Sequence, residues 1–148
     1  MKIIHCADLH LDSKMTANLS KEQAKERKNE ILRTFTRMVD YAKKNTVKAI
    51  LIAGDMFDTR NVSAMVRNTV RDVMVQHPEI DFLYLKGNHD SDNFLTKLEE
   101  IPANLYMFDD QWGTYAYGNV TITGIELNAD NALTAYNSLV LDHDTLTS

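Results

Sequence analysis

Apolar residues fall along this chain in two alternating rhythms. The runs Lys2 to Ala7, Val47 to Ala53 and Ile80 to Leu85 are short and nearly continuous, as strands buried on both faces read. Between them, Ile31, Leu32, Phe35, Met38, Val39 and Ala42 recur at helical spacing, and so do Met65, Val66, Val70, Val73 and Met74. Ser20 opens the first helix, with Gln23 three residues on as a capping-box partner. Ser63 caps the second helix, which runs to about Gln76 and is ended by Pro78. The first ninety residues therefore spell strand, helix, strand, helix, strand. The class is α/β, and parallel pairing with right-handed crossovers is the default.

The remainder changes character. A short helix is expected around Phe94 to Glu100, broken by Pro102. Leu105 to Phe108, Trp112 to Tyr117 and Asn119 to Ile125 read as short strands, with Gly118-Asn119 as a hairpin turn. Asn128 to Tyr136 reads as a helix, and Ser138 to Leu141 as the start of another strand.

The length of 148 residues suits one domain spanning 1–148. No stretch approaches the ~18–20 apolar residues of a membrane span, so no membrane contact is expected. The first eight residues are too short and polar for a signal peptide. Cys6 is the single cysteine, cannot form an internal disulfide and points to a reducing, cytoplasmic setting. The net charge of −5 argues against general electrostatic attraction to nucleic acid. It does not exclude a nuclease, because carboxylates at a metal site carry negative charge that the ions offset. The basic clusters Lys21 to Lys28 and Lys43-Lys44 read as solvated helix faces.

Chemistry is concentrated where the apolar runs stop. The strands end at Asp8-Leu-His10, Gly54-Asp55-Met-Phe-Asp58 and Gly87-Asn88-His89-Asp90. In an open parallel sheet, ligands bind beyond the carboxyl ends of the strands. Asp8 and His10 are two apart, so in extended backbone they face the same side and reach one ion. Asp55 follows a glycine that allows a sharp turn, and its two oxygens can bridge two metals. Asn88 offers a neutral oxygen, His89 is placed to act on substrate, and Asp90 can orient an imidazole. His with Asp and Asn oxygens, without Cys, favours Mn, Fe, Co or Zn over a structural zinc site. The chemistry this supports is metal-assisted hydrolysis.

Together these three motifs, in this order, resemble the calcineurin-like metallophosphoesterases. The opening His5-Cys-Ala-Asp8-Leu-His10-Leu-Asp12-Ser and the form Gly54-Asp55-Met56-Phe57-Asp58 are most similar to the branch of SbcD-type DNA exonuclease subunits and their double-strand-break repair relatives. The resemblance covers about residues 1 to 100. It implies a sandwich of helix, sheet, sheet and helix layers, of which this chain supplies mainly the N-terminal half with a parallel or mixed sheet. It implies two divalent ions, manganese first. Asp8 and His10 would bind one, Asp55 would bridge, and Asn88 would bind the other. His89 would stabilise the transition state or protonate the leaving group, with Asp58 and Asp90 supporting the ligands. DNA is the implied substrate and an ATPase of the structural-maintenance (SMC) type the implied partner.

One departure matters. The family's later lone His and Gly-His-x-His have no counterpart, and His143, between Asp142 and Asp144, reads as a surface turn residue. The chain is therefore expected to be the N-terminal portion of a longer protein. One sheet face is then expected to be apolar and uncovered, which would favour self-association. Two rival functions stand beside the nuclease: a phosphatase or phosphodiesterase for other esters, and a catalytically incomplete module that only folds or binds. His5 reads as a satisfied core histidine or a support to the metal ligands, His77 as a helix-end residue, and Asp12 as a neighbour of the first motif. Trp112, Tyr115 and Tyr117 read as hairpin packing rather than a base-stacking platform.

Overall fold

A computed structural model of the chain describes residues 1–12, 18–57, 62–87 and 97–140. Two strand–helix crossovers build its first half: β1 (Ile3–Ala7), α1 (Lys21–Lys44), β2 (Ala49–Ala53), α2 (Ala64–Val75) and β3 (Asp81–Leu85). Then β4 (Leu105–Met107) joins the same sheet, followed by a hairpin of β5 (Gly113–Tyr117) and β6 (Val120–Gly124) and a single-turn helix α3 (Ala135–Ser138). The four-stranded sheet has the order β1-β2-β3-β4 and is parallel throughout. Strands laid down in sequence order by right-handed crossovers put their helices on one face, and α1 touches α2.

The expected caps form. Ser20 Oγ accepts from Gln23 N at 3.2 Å while Gln23 Oε1 accepts from Ser20 N at 3.0 Å. Ser63 Oγ accepts from Val66 N. Leu32, Phe35, Val39 and Ala42 of α1, and Val66, Val70, Val73 and Met74 of α2, are buried. Under the helices lie Ile4 and Cys6 of β1, Ile50 and Ile52 of β2, Phe82 and Tyr84 of β3, and Leu105 and Met107 of β4. Each large side chain fully buried there contributes roughly 1.5–3 kcal/mol.

The opposite face carries a second, smaller cluster. Ala49, Leu51, Leu83 and Leu85 pack with Phe108 against Tyr115, Tyr117 and Ile122 of the hairpin. Tyr115 donates to Met107 O at 3.0 Å and Tyr117 to Asp81 Oδ2 at 2.8 Å. Trp112 Nε1 donates to Ala135 O and Ser138 Oγ. All three aromatic residues thus serve packing. The cover stops short of β1, where Ile3, His5 and Ala7 are exposed. His5 is therefore not a core histidine: it lies on an edge strand beyond the hairpin's reach.

Asn104 is buried, and its Nδ2 lies 3.0, 3.0 and 2.8 Å from the carbonyls of Met74, His77 and Ile80. It gathers the C-terminal end of α2 and the entry to β3. His77 sits at the end of α2 as expected and is buried there, with Nδ1 2.7 Å from Val73 O and Nε2 3.7 Å from Asp40.

Three expected elements differ. Lys97 to Glu100 form a turn and bends, while 94–96 lie outside the described residues. Asn128 to Tyr136 is not one helix. Asn128 Oδ1 accepts from Asp130 N and Asn131 N, a side-chain turn that diverts the backbone, and only Ala135–Ser138 is helical. Of the strand expected over Ser138 to Leu141, the described residues 138–140 form none: Ser138 Oγ donates back to Ala135 O, and Val140 is exposed.

Candidate metal centre

Asp8, His10 and Asp55 converge beyond the carboxyl ends of β1 and β2. One ligand atom from each can be chosen so that all lie within 4.8 Å of one another. Two carboxylates and an imidazole at that spacing fit a divalent cation, and no thiol is among them. Asp8 is exposed, while His10 and Asp55 are half-buried, so the site opens to substrate.

Convergence does not come from strand alternation. Asp8, His10 and Asp55 have φ of 53°, 47° and 44°, and Gly54 has 75°. The backbone turns left-handed at each ligand rather than staying extended. Asp and His tolerate this region better than most side chains. Strain of that kind persists only where the surroundings over-determine it, and here they do. Asp8 N donates to Gly54 O at 3.3 Å, His10 N to Asp55 O at 3.0 Å and Leu11 N to Met56 O at 2.9 Å. Leu11 and Phe57 form a parallel bridge. The two ligand loops are thus zipped together beyond the sheet.

Apolar anchors hold the zip down. Leu9 packs on the core, and Leu11, Met56 and Phe57 are 1%, 0% and 1% exposed. In the first loop, ligands and anchors alternate: Asp8 and His10 at the site, Leu9 and Leu11 in the core. Sequence reasoning missed the anchors, and the alternation of polar and apolar residues from Asp8 to Leu11 is the signal that marks them.

The third loop is tied in by a glycine. Gly54 N donates to Leu85 O at 2.7 Å. A Cβ at Gly87 would lie 2.3 Å from Asp55 N and 2.5 Å from Asp55 Oδ1. Only glycine lets β3 deliver its chain that close to the carboxylate. At the root of this loop, Lys86 pairs with Glu126 at 3.2 Å. Asn88, His89, Asp90 and Asp58 lie outside the described residues, as does His143.

Asp12, the neighbour of the first motif, is a buried structural carboxylate. Its Oδ2 accepts from Ser63 N at 2.7 Å and its other oxygen pairs with Lys28, joining the first loop to both helices. A groove of about 670 Å³ runs from Asp8, Leu9 and Leu11 along α1. Cys6, in β1, donates to Leu51 O, and burial pushes its thiol up to about 11. It is a packing residue. Among the described residues, no helix is long and apolar enough to cross a membrane.

A family model for calcineurin-like phosphoesterases matches residues 1–146. The DNA double-strand break repair protein Mre11 of Sulfolobus acidocaldarius is 30% identical over 93 residues, which is 62% of this chain and 23% of that protein. The SbcD component of the nuclease SbcCD of Escherichia coli K12 is 30% identical over 107 residues, 71% of this chain and 25% of that protein. A crystal structure of Pseudomonas putida nuclease MPE aligns with TM-score 0.46 and 16% identity, covering 75% of this chain and 49% of that one. The matched region spans about a quarter of the length of the curated relatives.

Proposed function

The chain belongs to the calcineurin-like phosphoesterase family, and from that premise we propose that it is a metal-dependent phosphodiesterase of DNA, of the SbcD exonuclease type. The observation that carries this reading is the meeting of Asp8, His10 and Asp55 at one edge of the sheet. Divalent ions held there would polarise a phosphoryl oxygen and lower the pKa of bound water. Asp8 and His10 would hold one ion, with Asp55 shared and Asn88 serving a second; manganese would suit this donor set. His89 donates a proton to the departing sugar oxygen or steadies the transition-state charge. Asp58 and Asp90 hold the ligands and imidazole in orientation. The relatives' names support DNA as substrate. An ATPase partner of the structural-maintenance type and a cytoplasmic location belong to the same proposal.

The test is hydrolysis by the manganese-loaded chain. Linear and hairpin DNA should be cut in preference to p-nitrophenyl phosphate monoester. His89→Ala and Asp55→Asn should each lower turnover by at least about 100-fold. Cleavage of the monoester without cleavage of DNA would move the protein to the general phosphatase reading.

A second reading has its own observation: the sequence holds no Gly-His-x-His. On that reading the chain binds one ion weakly and turns over little. Calorimetric titration with manganese separates the two, since the full centre requires two ions per chain.

A further inference from the structure

The groove beside the metal centre has a basic wall that the hydrolytic site does not use. Its floor is Leu9, Leu11, Ile31 and Phe35, and it starts at the metal ligand Asp8. On its α1 side stand Arg33 and Arg37, four residues apart and both exposed. Four residues of helix rise ~6 Å, so the two guanidiniums form one stripe along the groove. Neither makes a hydrogen bond or ion pair among the described residues. Glu30 is the one acidic residue of α1 on this wall, so the α1 side carries a net positive charge, in a chain whose net charge is −5. One turn beyond Arg37, Tyr41 is 60% exposed on the same stripe.

We infer that this groove carries a single nucleic-acid strand to the metal centre, with Arg33 and Arg37 on successive phosphates and Tyr41 stacked on a base. The inference rests on the phosphodiesterase reading for what happens at Asp8, and on the groove alone for binding. Guanidiniums are the side chains suited to phosphate oxygens. Bases stack on exposed aromatic rings irrespective of sequence. The apolar floor offers a surface for sugar and base edges, while Asp8 at the groove's end marks where the strand would meet the ions. A duplex is not needed for this fit: a one-sided stripe of two cations and a ring follows one backbone.

The experiment is titration of a fluorescein-labelled oligothymidylate by anisotropy across a salt series, in EDTA so that nothing is cut. Arg33→Gln with Arg37→Gln should weaken binding about tenfold at low salt. It should also flatten the plot of log affinity against log salt by about 1.4, from roughly 0.7 per single-strand phosphate contact. Tyr41→Ala should weaken binding about fivefold or more with the slope kept, because stacking releases no counterion. Lys25→Gln with Lys43→Gln removes the same charge from another face of α1, off the groove, and should change affinity less than twofold. Equal losses from the two double variants, or an unchanged slope in the arginine variant, would overturn the assignment. Hydrolysis of bis(p-nitrophenyl) phosphate by the unsubstituted chain, read separately, keeps the two proposals apart. Ester turnover without strand binding removes the groove and leaves the catalytic reading. Strand binding with the predicted slope and no ester turnover supports the groove and removes the catalytic reading.

Discussion

The two faces of the parallel sheet are built to different standards. Under α1 and α2, every strand contributes large side chains, and Ile50, Ile52 and Phe82 are fully buried. Under the hairpin, the strands contribute Ala49, Leu51, Leu83 and Leu85, and the cover ends before β1. Yet the sheet holds its ligand loops at the same edge for both faces. The difference shows that the site leans on one face. Leu9, Leu11, Met56 and Phe57, the anchors beneath the ligands, all pack into the cluster on the helix side. The hairpin side sets instead how β3 and β4 are clamped, through Tyr115 and Tyr117.

The largest expected effect tests that asymmetry directly. Phe82→Ala, on the helix face, should cost about 3–5 kcal/mol in a urea melt. Leu51→Ala, on the half-covered face of the neighbouring strand, should cost only about 1 kcal/mol. Similar losses from both would show that the two faces are equally packed in solution.

Next comes the tie between the third loop and the Asp55 carboxylate. Gly87→Ala places a methyl against Asp55 N and Oδ1. Manganese affinity should fall about 10–100-fold, the range for disturbing a ligand's supports, as read by calorimetry. Unchanged affinity would separate β3 from the site.

Tyr117→Phe should remove about 1 kcal/mol by deleting the hydrogen bond to Asp81. It should also alter the alkaline limb of stability. Burial, then the bond to Asp81, raises the Tyr117 phenol above its ordinary value of 10. The folded state therefore keeps the proton more tightly than the unfolded state. The stabilisation is fully present below pH ~10 and is lost as pH rises from there toward the folded value. Thermal melts of the Phe variant should show a shallower decline in that window.

The smallest effect is a rate. With its thiol pushed to about 11 by burial, Cys6 should react slowly with a disulfide reagent at neutral pH. The rate should climb only above the ordinary thiol range. Fast labelling of the folded chain at pH 7 would show that β1 opens at the edge the hairpin leaves bare.

Much of this is legible in the residues. The strand–helix alternation, the Ser20 and Ser63 caps and the Gly118 turn follow from local patterning, because capping and periodicity act within a few residues. The candidate ligands Asp8, His10 and Asp55 are legible as a polar set because polar residues ending buried runs are costly without purpose. Their means of convergence is not: left-handed φ at three ligands depends on the zip between two loops some 45 residues apart in sequence. The place of His5 escapes a local reading because a strand's edge position is fixed by its partners. Asn128 to Tyr136 departs from its helical spacing because side-chain turns at Asn128 and Asn131 compete with the helix and win.

By itself, the sequence determined the class of fold, the order of the elements and which side chains could bind metal. Those follow from hydrophobic period and donor chemistry, which are properties of short segments. The tertiary structure alone decided which face of the sheet carries the weight, that Gly87 must be bare beside Asp55, and that Asp12 ties helices rather than joining the centre. It also set Arg33 and Arg37 along a groove ending at Asp8. Each of these depends on groups far apart in the chain meeting within a few ångströms, and only packing of the whole sheet fixes such meetings.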